Sequence, residues 1–148
     1  MAEAILLHLL KERQIKQFKW TVDSAGHGEW HLGKSPEERT LQVLAQNNIT
    51  GYTHTARLIT KEDFAKFDYI LCMDDYNLRL IISKRNLNRM KPADSKSFIC
   101  RLGDFDPEGV KIIFDPYFSD SIEAYKEVYR QCYRCCEAFL TTLVTNDK

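Results

Sequence analysis

Short, strand-length runs alternating with helix-like stretches leave this chain few architectures. The clearest is Phe67-Asp68-Tyr69-Ile70-Leu71-Cys72-Met73. It is strand-length and mostly apolar, as for a strand buried on both faces. Asp74-Asp75 closes it and predicts a helix through about Lys84. Residues 98–102 and 20–25 read as two further strands, the latter ending in the turn Gly26-His27-Gly28. Residues 2–17 read as a helix, apolar on nearly every side through Leu10. A second helix opens with Ser35 as N-cap, Pro36 at N1 and Glu38 closing a capping box, and runs to about Asn47. A shorter one opens at Thr60. Asp120 with Glu123 caps the last, whose apolar face is Ile122, Tyr125, Val128, Cys132, Cys135, Cys136, Phe139 and Leu143. Helices alternating with short buried strands predict an α/β fold, a single-domain parallel sheet with helices on both faces. No repeat, low-complexity tract or linker divides the 148 residues.

The first helix is out of place in this scheme. It begins at Met1 without a cap and goes straight into apolar residues, as though the chain started inside a βα unit.

Lys+Arg and Asp+Glu both number 21, a balance that argues against nucleic-acid or membrane-surface binding. Five cysteines, an odd number with two adjacent, make a poor disulfide framework and suit a reducing, cytoplasmic setting. The apolar start has no basic leader and is interrupted by His8, so it reads as neither signal peptide nor membrane span.

Several residues invite chemistry. Asp115-Pro116-Tyr117-Phe118 places a carboxylate among aromatics on a loop, which suits a general acid beside an aromatic slot or an ordinary turn with a local cap. Trp30, in the glycine-bounded segment Gly28-Glu29-Trp30-His31-Leu32-Gly33, is either a wall for a flat ring or a side chain folded onto the core. His27 and His31 lack a third metal ligand, and Cys132, Cys135 and Cys136 fall on an apolar helix face. No metal site and no cofactor are expected. Asp74 and Asp75 read as helix capping, since the lysine of a phospho-accepting receiver domain is missing after strand 98–102. No glycine-rich phosphate loop occurs, and no cysteine has an arginine six residues on; Cys72 to Arg79 is one too long.

Val22-Asp23-Ser24-Ala25, Trp30-His31-Leu32-Gly33, His54-Thr55-Ala56-Arg57 and Ile59-Thr60-Lys61-Glu62-Asp63-Phe64 resemble, in order, segments of the low molecular weight protein tyrosine phosphatases. So do Met1-Ala2-Glu3-Ala4, the run 67–74, Leu102-Gly103-Asp104-Phe105-Asp106, Asp115-Pro116-Tyr117 and Gln131-Cys132. The resemblance implies that fold, hydrolysis of phosphotyrosine or aryl phosphate through a cysteinyl-phosphate, and no cofactor. It implies Asp115 as general acid and Trp30 and Tyr117, with Phe118, as the walls of the phosphotyrosine slot. Phe118 stands where many members carry a second tyrosine. Ser24 and His54 resemble positions that brace the phosphate loop.

In that family a first strand leads into a Cys-x5-Arg loop and then into the segment that residues 1–4 resemble. The thiolate attacks phosphorus while backbone N–H groups and the arginine hold the phosphoryl oxygens. The aspartic acid protonates the departing phenol and then activates water. The resemblance therefore implies a chain without its central first strand, nucleophile and phosphate-binding arginine. It predicts a catalytically inactive chain unless completed upstream, or a non-catalytic relative acting as a binding module. The strand's loss is worth on the order of 6–15 kcal/mol in unburied aliphatic side chains. A slot or a narrowed sheet is expected in its place, with dependence on a strand-donating partner or self-association.

Overall fold

The computed structural model describes residues 1–89 and 91–146. Its helices are α1 (Ala2–Glu12), α2 (Glu38–Gln46), α3 (Lys61–Lys66), α4 (Asp75–Leu87) and α5 (Ile122–Thr145). Its strands are β1 (Tyr69–Cys72) and β2 (Phe98–Arg101), which pair in parallel with Tyr69 opposite Phe98. Short 3-10 turns cover Pro92–Asp94, Leu102–Phe105 and Pro116–Phe118.

The pleat of β1 sends alternate side chains to two cores. Leu71 packs on the larger one, built by α1, α2 and α5 around Ile5, Leu44, Tyr125 and Leu140. Ile70 and Cys72 go to a smaller one with Phe64 and Ile81, from α3 and α4. Helices therefore cover both faces of the parallel pair. Coverage is incomplete at one end: Tyr69 is 37% exposed, so β1 is not buried on both faces along its whole length.

The expected strand at residues 20–25 is absent. That segment carries no helix or turn and enters no ladder among the described residues; the nearest pairing is one parallel bridge, Gly26 with Leu58. The reason is nonlocal. A ladder needs a neighbour at about 4.8 Å, and the segment is set apart from β1 by a cleft of about 920 Å³. The segment and the β1–β2 pair thus stand on separate walls of that cleft.

Helix boundaries moved where local signals competed. α1 stops at Glu12 instead of residue 17: no apolar side chain follows Leu10 until Ile15, and Gln14 takes a positive φ of 48°. α2 begins at Glu38, two residues later than Ser35-Pro36 suggests. Its N-cap is Glu37, whose carboxylate accepts from the Arg39 and Thr40 N–H groups at 2.8 and 3.2 Å. Glu37→Ala should cost about 1 kcal/mol, read as a lower urea midpoint at unchanged slope. α5 is capped by Ser121, one residue past Asp120. α3 opens after Thr60 as anticipated, with a Thr60–Asp63 capping box, and the Asp74 cap of α4 forms as anticipated.

Candidate active site

Three anchors fix the loop that carries Asp115. The Ile113 N–H donates to the Met73 carbonyl at 2.9 Å, laying the approach to Asp115 across the end of β1. From α5, the buried Gln131 amide donates to the Val110 and Ile112 carbonyls at 2.9 and 3.1 Å. From α2, Arg39 donates to the Ser119 carbonyl at 2.6 Å while gripping Glu37 and lying over the Tyr125 ring. Gly103 permits the close approach of this segment, since a Cβ there would stand 2.2 Å from the Lys111 carbonyl oxygen.

Asp115 is exposed, and its carboxylate accepts the Tyr117 N–H at 3.0 Å as cap of the 3-10 turn. The local-cap reading thus describes a contact the side chain makes. One carboxylate oxygen is engaged in this way, and a second is left for a donor or acceptor from solution.

A series of ring contacts begins at Tyr117, two residues on. Tyr117 meets Phe118 at 5.6 Å and His31 at 5.1 Å between centroids. Trp30, next in the chain to His31, meets His27 at 5.5 Å, and His27 meets Tyr76 at 5.7 Å. Trp30 is 71% exposed and Phe118 85% exposed, so Trp30 is not folded into the core. Ring faces and a carboxylate accumulated at one exposed rim suit a flat aromatic group bearing a leaving oxygen.

Ser24 and His54 lie together on another wall. The Ser24 hydroxyl donates to Glu3 and sits 3.4 Å from His54 Nε2. His54 Nδ1 lies 3.4 Å from Glu3 and 3.7 Å from Asp23. Tyr52 stacks on His54 with nearly parallel rings, and burial with the neighbouring Glu3 carboxylate pushes its hydroxyl pKa well up. Arg57 bridges Asp23 at 2.9 Å and Asp63 at 2.8 Å, which holds the Asp63 carboxyl below the usual range despite its burial. Glu3, Asp23 and His54 come close enough to share a cation, the one such group among the described residues. His27 and His31 do not form one; each is spent on a ring contact.

The cysteines are structural. Burial pushes Cys72 up to about 12, Cys100 to about 11, Cys132 to about 11 and Cys135 to about 12, and drives Cys136 higher still. None of the five is a thiolate near neutral pH.

The family "Low molecular weight phosphotyrosine protein phosphatase" matches residues 1–148. The chain belongs to that family. A relative of the same description from Sus scrofa is 42% identical over 95% of this chain and 84% of its own length, and the Homo sapiens one is likewise 42% identical over the same shares. Among solved structures, that of DARP, drosophila arginine phosphatase, aligns with a TM-score of 0.84 at 35% identity, covering 96% of this chain and 87% of its own. The Bacillus subtilis protein YfkJ aligns with a TM-score of 0.82 at 28% identity, covering 99% and 87%. The family's α/β fold and its membership among protein tyrosine phosphatases thereby hold for this chain. No helix among the described residues is long and apolar enough to cross a membrane.

Sequence reasoning missed Arg39, Gln131 and the ring pair His27–Tyr76. Gln131 left one signal, a polar side chain set among the apolar positions of α5. Arg39 left none, because its partner Ser119 is 80 residues away.

Proposed function

We propose that this chain carries the acid and the aromatic slot of a phosphotyrosine-hydrolysing site, and that the 148 residues by themselves turn over no phosphate ester. The observation that carries the reading is the exposed Asp115 carboxylate holding the Tyr117 N–H, with the Tyr117 ring against His31, on a loop tied to the carboxyl end of β1. Asp115 would protonate the departing phenolic oxygen and then take a proton from the attacking water. Trp30, Tyr117 and Phe118 would hold the ring, while Ser24 and His54 would brace a phosphate loop. Two facts support the inactivity of the 148 residues alone: they contain no Cys-x5-Arg, and four of the five thiols are buried, with all five held protonated. General acid–base help of about 10²–10⁴-fold is far below the roughly 10²¹-fold accelerations reached on the slowest phosphate monoesters. The central strand and nucleophile loop would then be supplied to the cleft beside β1, by a strand-donating partner or an upstream segment. Five unpaired thiols fit a reducing, cytoplasmic setting.

The test is an aryl phosphate assay on the 148-residue chain and on the same chain extended by an apolar strand and a Cys-x5-Arg loop. The extended chain should hydrolyse the ester and the shorter one should not. Turnover by the 148 residues, abolished by changing Asp115, would overturn the reading. A non-catalytic binding role is the alternative if the extended chain is also silent. In that case a phosphotyrosine peptide should bind better than its unphosphorylated twin.

A further inference from the structure

The segment that carries Trp30 is tied down at both ends. The Gly26 N–H donates to the Arg57 carbonyl at 2.8 Å, and the Ile59 N–H donates to the Gly26 carbonyl at 2.9 Å. At the far end the Gly33 N–H donates to the Ala56 carbonyl at 2.8 Å, and the Ala56 N–H returns to the Lys34 carbonyl at 2.9 Å. Both feet of the loop 27–32 are thus pinned to one neighbouring segment, residues 56–59. Inside it the Leu32 N–H reaches the Glu29 carbonyl at 3.1 Å. A short loop with its ends held together is packed by its own side chains.

Trp30 shows that packing. Its indole occupies the space where a side chain at Gly28 would stand: a Cβ there would lie 1.7 Å from Cζ3, 2.3 Å from Cε3 and 2.4 Å from Cη2. The His27 ring meets the indole at 5.5 Å with the planes 80° apart. Tyr76, in the first turn of α4, meets His27 in turn at 5.7 Å. Trp30 is nevertheless 71% exposed, so these contacts orient the ring and leave most of its surface free. An exposed tryptophan without them would spread over several staggered rotamers.

We propose that Gly28, His27 and Tyr76 are positioning residues that hold Trp30 as a preset wall of the aryl slot, with the missing side chain of Gly28 as its seat. The seat is steric, so the smallest possible side chain at position 28 displaces the indole. Backbone conformation does not require glycine there: the glycines at positive φ are Gly33, Gly51 and Gly109. Alanine at position 28 is therefore compatible with the chain path and tests the seat alone. His27 stops the indole from the side, and Tyr76 backs His27 from a helix, a firmer support than a loop. A wall fixed before the substrate arrives spares the ordering cost of binding. Such a wall holds the ring equally in ground and transition states, so its loss belongs in KM and not in kcat. The proposal rests on the slot reading given above for what Trp30 does, not for how Trp30 is held.

The experiment labels the 148-residue chain with fluorotryptophan. Trp20 and Trp30 are its two tryptophans, so fluorine NMR shows two resonances, and Trp30→Phe assigns them. The Trp30 resonance is expected away from the position of the free amino acid. Gly28→Ala should carry it most of the way back, while the Trp20 resonance stays put and reports an intact fold. Tyr76→Ser should move it in the same direction by less, because Tyr76 acts through His27, and Tyr76→Phe, which keeps the ring, should leave it in place. In the extended chain, Gly28→Ala should raise KM for phenyl phosphate by about three- to tenfold, the worth of a lost ring contact, with kcat held within about twofold. A Trp30 resonance already at the free position, or one that neither Gly28→Ala nor Tyr76→Ser moves, would overturn the proposal. So would a resonance that moves while KM holds, since Trp30 would then be seated without serving as a wall. An extended chain without any activity would remove the phosphatase reading and leave the seat to be decided by the resonances, which need no turnover.

Discussion

Asp115→Asn, in the chain extended by strand and nucleophile loop, is expected to slow hydrolysis of phenyl phosphate by about 10²–10⁴-fold, the usual worth of a positioned general acid. The same change should matter far less for p-nitrophenyl phosphate, whose leaving group departs without a proton. The contrast between the two esters is the informative quantity. Asparagine keeps the shape of the side chain and its acceptor for the Tyr117 N–H, a 3.0 Å bond, so the turn should survive. Equal losses on both esters would mean that Asp115 holds the loop and does not transfer the proton. Folding is monitored in parallel by the urea midpoint, which should move by no more than about 1 kcal/mol.

The second large effect concerns stability. Asp106 follows the 3-10 turn after β2, and its side chain is 0% exposed. Arg134 of α5 meets it with two bonds of 2.8 and 2.9 Å, and the Glu108 N–H adds a third at 2.9 Å. Arg134→Met removes the cation and strands a buried carboxylate, a loss of about 3 kcal/mol, or a fall in Tm of roughly 6–12 °C. Arg134 is about a quarter exposed, which puts the figure at the low end for buried pairs. Arg134 also supplies the first cause of the lowered Asp106 pKa. A carboxyl whose folded pKa is depressed adds stability above its unfolded value, near 3.9, and loses it as pH falls through the folded value. The gap between native chain and variant should therefore be full above about pH 5 and close below about pH 4. A gap below about 1 kcal/mol at neutral pH would class the pair with ordinary surface ion pairs.

What the sequence disclosed follows the range of the forces involved. Caps act over three or four residues, so the Asp74 cap and the helix start at Thr60 were legible, and the 3-to-4 spacing of α5 named most of its buried face. The segment 20–25 was not legible as the structure has it. Its β-branched composition permits a strand, but a strand exists only with a neighbour, and the neighbour lies across a cleft. The α2 start misled because Ser35-Pro36 and Glu37 both offer a cap and only one geometry forms. In the site, Asp115, Trp30, Tyr117 and Phe118 stood out as a carboxylate and aromatics on loops. Arg39 and Gln131, which hold the Asp115 loop, act over 80 and about 20 residues of separation; Arg39 carries no local mark, and Gln131 only that of a polar residue on an apolar helix.

The four buried cysteines have a practical consequence beyond their silence in catalysis. A thiol reagent reacts with the thiolate, and only when it can reach the sulfur. Cys132, Cys135 and Cys136 sit at 2% exposure or less against α1, while Cys72 belongs to the smaller core. Labelling at each position is thus gated by a different opening: separation of α5 from α1 for the first group, loosening of α3 and α4 from the sheet for the other. The chain carries a built-in set of clocks. Site-resolved alkylation rates, without any engineered probe, would rank which half of the molecule breathes first and whether filling the cleft slows one clock or both.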